Sequence, residues 1–231
     1  MDWNQLLFVI FPYVSIAIFI VVTVYRAIFR PFTVSSLSSQ LLERKMLFWG
    51  SISFHNGISI ILAGHLLALL FPKSLVLWNS VPIRLYLLEI SGLVLALWSL
   101  VGIIILIIRR FTVANIKAVT LPSDIGLLLL ILLSVISGII TSTAYRFGST
   151  WFTGVFSPYI WSVLTFQPRP ELVAPLPWMI QFHAFNFFIM LAILPFTRLI
   201  HLITYPLSYL FRPWQIVVWV REQRAHPERQ H

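Results

Sequence analysis

Five long apolar stretches, separated by short polar or basic segments, run along the chain. Their approximate bounds are residues 6–25, 46–70, 83–108, 124–143 and 178–205. About 20 apolar residues in an α-helix are enough to cross the ~30 Å hydrocarbon core of a bilayer. The pattern therefore predicts an all-α integral membrane protein with five transmembrane helices.

Prolines and aromatic clusters indicate where these helices bend, end or are connected. We expect Pro12 to bend the first helix, Pro72 to end the second and Pro195 to interrupt the fifth. Residues 71–82 are interpreted as a short loop. The longest connection includes residues 151–166, which are rich in Trp and Phe and are expected to form an amphipathic segment at the membrane interface.

Composition agrees with a membrane protein and limits the chemistry that the chain can perform. Hydrophobic residues make up 59% and charged residues 10% of the sequence, whereas about a quarter of the residues in a soluble domain are charged. With 231 residues, the chain has room for five helices and short loops, so residues 1–231 are predicted to form one membrane domain. The sequence contains no cysteine, which excludes a cysteine-ligated iron–sulfur cluster, a disulfide framework and covalent haem attachment. Any redox centre must therefore be held by nitrogen ligands.

The net charge of +9 reflects membrane topology rather than nucleic-acid binding, because the basic residues lie at the ends of apolar stretches. If the N-terminus is outside, twelve of the 16 Lys and Arg residues fall on the inner side: Arg26, Arg30, Arg44, Lys45, Arg109, Arg110, Lys117, Arg198, Arg212, Arg221, Arg224 and Arg229. The outer side receives the other four: Lys73, Arg84, Arg146 and Arg169. The positive-inside rule therefore predicts an outside N-terminus and a cytoplasmic C-terminus.

Four histidines lie inside apolar stretches, His55 and His65 in the second and His183 and His201 in the fifth. Polar side chains are costly in hydrocarbon, so each is a candidate functional residue. The predicted topology places His55 and His201 at one depth, and His65 and His183 at the other. At ~100° per residue, His183 and His201 share one face of an unbroken helix, and His65 lies about 80° from His55. The rise is about 15 Å on the second helix and about 27 Å on the fifth, a difference that a bend at Pro195 is expected to absorb in part.

This pairing by depth predicts two bis-histidine haem sites, because neutral imidazole is a common axial ligand and a helical bundle can hold porphyrins. Other interpretations remain open. A single intramembrane histidine often serves only as a hydrogen-bonding residue between helices, and a proton relay or a zinc site would also use histidine. Zinc requires further Asp, Glu or His ligands, which the apolar stretches hardly supply. Gly50, Gly57 and Gly64 recur at intervals of seven residues, a pattern that suits either close helix packing or the approach of a flat ligand.

Several sequence blocks resemble the gamma subunit of respiratory, membrane-bound nitrate reductase, a dihaem cytochrome b. They are SSQLLERK, FHNGISIILAGH, LTFQPRPELVAPLPW and FHAFNFFIMLAILPFTRLIHLITYPLSYL. The resemblance implies that His55 and His201 bind the iron of a proximal haem b on the cytoplasmic side, and that His65 and His183 bind the iron of a distal haem b. It also implies a multi-pass protein of the cytoplasmic membrane that acts in anaerobic respiration. Electrons from quinol would then pass through both haems to an iron–sulfur beta subunit, and onward to a molybdenum-containing alpha subunit that reduces nitrate.

The same resemblance places a quinol site near the distal haem. The lysine position of the family corresponds to Tyr86, so we interpret Arg84, Tyr86 and Glu89 as candidates, with Gly64 beside them. Arg84 could hydrogen-bond a quinone carbonyl and Glu89 could accept a quinol proton. Alternatively, Arg84 is an interface residue whose chain extends towards the headgroups, and Glu89 is its partner.

Three further arginines, Arg109, Arg110 and Arg198, are candidate partners of haem propionates, although the positive-inside rule alone explains them. Two other functions also stay open. The chain could be the quinone-linked dihaem subunit of a sulfur or heterodisulfide reductase, which the LTFQPRPELV and PFTRLIH blocks disfavour. It could also be a non-redox membrane transporter with buried histidines, which would lack haem absorbance.

Overall fold

A computed structural model describes residues 2–30 and 42–197, and every regular element in these ranges is helical. Five helices are long and apolar enough to cross a membrane. They are α1 (Trp3–Phe29), α2 (Lys45–Leu70), α4 (Pro82–Thr112), α6 (Pro122–Ala144) and α8 (Trp178–Ile193), the last continued by a 3₁₀ turn over Leu194–Phe196. Shorter helices are α3 (Pro72–Asn79), α5 (Ala114–Ala118) and α7 (residues 148–164). The prediction of five apolar, membrane-spanning helices is confirmed, and the direction in which they cross the membrane stays a prediction.

The long helices pack in an order that differs from their order in the chain. Helix α2 packs on α4, α4 on α6, α6 on α8, and α8 on α1. The two histidine-bearing helices, α2 and α8, are therefore not packed neighbours over their described lengths. Consecutive long helices run in opposite directions through the bundle. One end of the bundle, here called the Leu70 end, therefore holds the start of α1 and the end of α2. The opposite end, here called the Lys45 end, holds the start of α2.

Small residues allow α2 and α4 to approach closely. A Cβ atom built on Gly57 would lie 2.6 Å from the carbonyl oxygen of Leu95 and would collide with the Ser99 hydroxyl. On the facing helix, a Cβ on Gly102 would lie 2.8 Å from the carbonyl oxygen of Gly50 and would collide with the α2 backbone. In hydrocarbon, helix association depends on such van der Waals contact. Close packing therefore explains two of the three regularly spaced glycines, Gly50 and Gly57.

Helix α7 closes the Leu70 end of the bundle. The Tyr159 hydroxyl, at 0% exposure, donates to the carbonyl oxygen of Phe8 at 2.9 Å. That carbonyl lies four residues before Pro12, which has no N–H to donate to it. A second hydroxyl, on Tyr13 of α1, donates to the carbonyl oxygen of Val163 at 3.1 Å. Helix α7 therefore donates one hydrogen bond to α1 and accepts one from it near Pro12, which cannot donate a backbone hydrogen bond of its own.

Two connections differ from the sequence-based expectation. The expected loop of residues 71–82 contains helix α3, because Pro72 begins a new helix as well as ending α2. The expected interfacial segment of residues 151–166 is helical, but its buried side chains pack against α1 and α8. It is also tied to α2, since Ser157 and Trp161 donate to the carbonyl oxygen of Leu69 at 3.3 and 2.9 Å.

The fifth long helix is interrupted where Pro195 predicted it. The α-helix ends at Ile193, a 3₁₀ turn follows, and Thr197 is extended with φ −111° and ψ 175°. The argument that His183 and His201 share one face assumed an unbroken helix, and that assumption is wrong. Residues 198–231, with the expected helix boundary at Tyr205, lie outside the described residues.

Candidate functional site

Helix α2 holds its two histidines by the same backbone contact. The Nδ1 atom of His55 lies 2.8 Å from the carbonyl oxygen of Ser51, and Nδ1 of His65 lies 2.8 Å from that of Ile61. Each acceptor is four residues earlier, where the helix geometry places the preceding turn under the side chain. A carbonyl oxygen only accepts, so Nδ1 carries the proton, and in a neutral imidazole Nε2 then keeps its lone pair. Both imidazoles are therefore in the tautomer that binds a metal through Nε2.

On α8, the Nδ1 atom of His183 is hydrogen-bonded by a side chain of another helix. It lies 2.8 Å from the Ser137 hydroxyl of α6, whose oxygen is also 3.1 Å from the carbonyl oxygen of Ser134. When the hydroxyl donates its one proton to Ser134, its oxygen accepts from Nδ1–H, and His183 has the same tautomer as the histidines of α2. Gly138 lies beside the ring, because a Cβ atom there would be 3.2 Å from Cε1 of His183.

His65 and His183 both lie towards the Leu70 end of the bundle, His65 in the last two turns of α2 and His183 in the second turn of α8. Phe152 of α7 packs edge-on against the His65 ring, with ring centroids 5.0 Å apart. It begins a π-helical turn, Phe152–Phe156, an irregularity that often occurs at functional sites. Two helices that are not packed neighbours thus each carry an imidazole at the Leu70 end.

The second expected pair, His55 with His201, is described on one side only. His201 and Arg198 lie outside the described residues. Within residues 2–30 and 42–197, no three His, Asp or Glu side chains form a group that could hold a metal ion. A donor set of paired imidazoles, without carboxylates, suits haem iron, which needs two axial ligands.

Gly64 differs from the other glycines of α2. Contacts between Gly50 and Leu106 and between Gly57 and Leu95 define the antiparallel register of α2 and α4. Extended by two turns, this register places Gly64 opposite Gly92. A Cβ atom on either glycine would meet no atom within 4 Å. Helix packing therefore does not require a glycine at either position, and the register implies an open cleft between α2 and α4 beside His65.

The three quinol-site candidates on α4 lie at the Leu70 end of this cleft. The Arg84 guanidinium lies 5.3 Å from the ring centroid of Trp78 and donates to the carbonyl oxygen of Leu77 at 3.3 Å. The Tyr86 ring packs edge-on against Phe147 at 5.6 Å.

Glu89 is bound by α7 rather than by Arg84. Its Oε1 atom accepts from the N–H and the hydroxyl of Ser149, at 2.8 and 2.6 Å. Asn79 donates to the same Ser149 hydroxyl oxygen at 3.0 Å. The alternative that Glu89 is the partner of Arg84 is therefore wrong.

Arg109 and Arg110 both pair with carboxylates at the Lys45 end. Arg109 is 3% exposed, and its Nε atom lies 2.7 Å from Oε2 of Glu43. Arg110 lies 3.3 Å from Oδ2 of Asp124. These ion pairs explain both arginines structurally, and their role towards haem propionates stays a prediction.

The sequence-based reasoning missed the residues that orient the candidate ligands. Ser137, Asn186 and Ser149 each make a side-chain hydrogen bond between helices. Ser137 and Asn186 lie inside apolar stretches, so their cost in hydrocarbon was a signal that could have identified them. Their partners could not be identified, because periodicity along one helix does not show which helix packs beside it.

Comparison with known proteins places the chain in a protein family. A family model described as nitrate reductase gamma subunit matches residues 4–220. The nitrate reductase gamma chain of Bacillus subtilis is 30% identical over 221 residues, which cover 92% of this chain and 97% of that protein. The respiratory nitrate reductase 1 gamma chain of Escherichia coli is 28% identical over 219 residues, covering 93% and 96%. In Mycobacterium tuberculosis, the nitrate reductase-like protein NarX is 29% identical, with 33% of its length matched. The chain belongs to the nitrate reductase gamma subunit family.

Proposed function

We propose that this chain is the cytochrome b subunit that anchors a nitrate reductase complex in the cytoplasmic membrane and passes electrons to it from quinol. His65 and His183 would hold one haem b, and His55 and His201 a second. The observation that supports this most directly is the state of the three described histidines. In each, Nδ1 is hydrogen-bonded to an oxygen that can accept its proton, which favours the tautomer with the lone pair on Nε2.

The haems would supply one-electron transfer across the membrane. The chain's own part is to present oriented imidazoles and to keep water from them with apolar helices. The hydrogen bond at each Nδ1 increases the donor strength of Nε2 and fixes the ring direction. A preoriented ligand would require no rearrangement when the bound iron changes its charge.

Quinol would approach from the lipid through the cleft between α2 and α4. Gly64 and Gly92 line this cleft without packing against each other, and a flat, apolar ring suits such a site. Glu89 lies one turn before Gly92, and Ser149 binds only its Oε1 atom. We infer that the second carboxylate oxygen accepts a proton from quinol, with Arg84 and Tyr86 at the mouth of the cleft.

The partners proposed for the chain are an iron–sulfur beta subunit and a molybdenum-containing alpha subunit, where nitrate is reduced. They would bind at the Lys45 end, which would face the cytoplasm, with the N-terminus outside. The basic residues at this end support that orientation through the positive-inside rule. Nitrate reduction itself would occur outside this chain.

A reduced-minus-oxidised spectrum of the purified complex tests the haem assignment. We expect two b-type haems in the wild type. His65→Ala and His183→Ala should each remove one haem, and His55→Ala and His201→Ala should each remove the other. Loss in a different combination would contradict the pairing, and a spectrum without haem would favour the transporter alternative.

Steady-state quinol oxidation by the intact complex tests the proton acceptor. Glu89→Gln should lower the rate at least ~100-fold, since a positioned general base contributes typically 10²–10⁴-fold. Glu171→Gln is the matched control, because Glu171 lies in a 3₁₀ turn, Pro170–Leu172, away from the cleft. Nitrate reduction driven by a dye that reduces the partner subunits directly should stay unchanged in both variants. An unchanged quinol rate in Glu89→Gln would remove Glu89 from the site.

A further inference from the structure

Two side-chain hydrogen bonds join α6 and α8 one helical turn apart. His183 bonds Ser137 at 2.8 Å, and the amide nitrogen of Asn186 donates to the Ser134 hydroxyl oxygen at 2.5 Å. The paired residues are three apart on each helix, so both bonds lie on one contact face. We call the set of Ser134, Ser137 and Asn186 the α6–α8 clamp.

The clamp is buried in an apolar surrounding. Ser137 is 2% exposed and Asn186 is 1% exposed. Burying a polar group without a partner costs about 1–3 kcal/mol on the scale of protein mutations. The amide of Asn186 also lies 3.4 Å from the carbonyl oxygen of Leu130, so both of its hydrogens are directed at α6. These bonds fix the rotation of α8 about its own axis, and hence the direction of the His183 side chain.

The two histidines of the Leu70 end differ in the group to which their Nδ1 atoms are hydrogen-bonded. His65 donates to a backbone carbonyl, whereas His183 donates to a hydroxyl. The carbonyl oxygen of Ser134 lies 3.1 Å from the Ser137 hydroxyl and offers an acceptor for its proton. While Ser137 donates to Ser134, its oxygen can only accept, and Nδ1 of His183 must carry the proton.

We propose that Ser137 is a positioning residue for the metal ligand His183, that Asn186 and Ser134 hold it in place, and that the clamp makes the haem at the Leu70 end harder to reduce. This inference rests on the proposed function. A hydrogen bond from Nδ1–H to an acceptor increases the basicity of a histidine ligand. A more basic ligand stabilises the ferric state, so its loss should raise the reduction potential. If the clamp only held the helices together, its loss would affect stability and leave the potential unchanged.

Potentiometric titration of the whole complex, followed by the b-haem absorbance, tests the proposal. Ser137→Ala should favour reduction of one haem about tenfold, which is about 59 mV for a one-electron couple, and leave the other haem unchanged. Ser137→Thr keeps a hydroxyl and should restore the wild-type value. The matched control is Thr141→Val, because the Thr141 hydroxyl bonds only the carbonyl of Gly138 on its own helix, at 2.8 Å. It should move neither potential.

The orientation of the ligand provides a second measurement. The electron paramagnetic resonance spectrum of a low-spin ferric haem depends on the planes of its two imidazoles. Asn186→Leu keeps the Ser137 hydroxyl but frees α8 to rotate, so we expect a changed signal for the same haem that Ser137→Ala affects.

Several results would overturn the proposal. They are an unchanged potential in Ser137→Ala with both haems present, or an equal shift in Thr141→Val. If Ser137→Ala does not assemble, Ser137→Cys replaces the hydroxyl by a weak acceptor of similar size, and a wild-type potential there would overturn it too. Absence of b-type haem from the wild-type complex would instead refute the proposed function, and this inference with it.

Discussion

Glu43 connects the start of α2 to the buried end of α4. Its two carboxylate oxygens accept from the N–H groups of Met46 and Leu47 at 2.7 and 3.2 Å, and Oε2 also accepts from Arg109. Desolvation raises the pKa of Glu43, but the bonds from Met46, Arg109 and Leu47 and the charge of Arg109 together lower that pKa below its ordinary value. One carboxylate thus satisfies free donors of a helix N-terminus and the charge of a buried arginine.

The lowered pKa of Glu43 predicts a pH-dependent stability. A carboxylate with a depressed pKa contributes stability above the ordinary carboxyl pKa, about 4.3, and loses it as the pH falls through the lowered value. Glu43→Gln should therefore lower the thermal midpoint of the purified protein at pH 7. The difference from wild type should shrink as the pH is brought below ~4. A difference that is constant over this range would show that the charge of Glu43 does not stabilise the fold.

Removing the Tyr159 hydroxyl should destabilise the fold more than removing an exposed hydroxyl would. Pro12 has no N–H to donate to the carbonyl of Phe8, so Tyr159→Phe removes a buried hydrogen bond that residue 12 cannot replace. We expect a loss of about 1–3 kcal/mol in the free energy of unfolding, measured by denaturation in detergent. Tyr25→Phe is the matched control, since Tyr25 is 50% exposed, and it should change little. Equal effects of the two substitutions would contradict the assigned role.

At the scale of elements, the pair α2 and α4 has a tight end and a wide end. Gly57 and Gly102 make the contact at the tight end, whereas Gly64 and Gly92, opposite each other in the extended register, meet no atom within 4 Å at the wide end. The glycine repeat of α2 thus serves close packing at one depth and leaves open space at another.

The two kinds of glycine should respond differently to a methyl group. Gly57→Ala must push the helices apart, and overpacking of this kind costs about 1–3 kcal/mol. Gly126→Ala on α6, where a Cβ atom would meet nothing within 4 Å, should be neutral or slightly stabilising. Thermal unfolding of both variants in the same detergent provides the comparison. A Gly57→Ala protein as stable as wild type would show that α2 and α4 do not need this contact.

The hydropathy pattern predicted the bounds of the long helices well, because the length of an apolar stretch is set by the thickness of the membrane and not by tertiary contacts. The bounds of α2 and α4, for example, lie within a few residues of expectation. The position of α7 could not be predicted, since the bond from Tyr159 to Phe8 joins residues 151 apart in sequence. The clamp partner of His183 was missed for the same reason. The histidines themselves were found because a polar residue in hydrocarbon is conspicuous without any neighbour.

At the scale of the whole molecule, the charged residues are distributed unevenly between the two ends. The ion pairs of Arg109 and Arg110 lie at the Lys45 end, and Arg84 lies at the other, over Trp78. The natural sequence has no cysteine, so single cysteines can report which end faces which compartment.

Orientation in the membrane can be measured with a thiol reagent that does not cross the bilayer. Ser80→Cys, next to α3, should be labelled in intact cells if the N-terminus is outside. Lys117→Cys, in α5, should be labelled only after the membrane is made permeable. The reverse pattern would contradict the positive-inside prediction for this chain.

The difference between the Nδ1 acceptors of His65 and His183 also has an evolutionary consequence. The carbonyl that holds His65 belongs to the backbone at Ile61, and it persists whatever side chain is encoded there. The hydroxyl that holds His183 belongs to Ser137, and a single codon change can remove or replace it. Selection can therefore change the acceptor at His183 while that at His65 stays constant. Under the proposed function, this would give a lineage a route for adapting its redox chemistry to a different respiratory quinone.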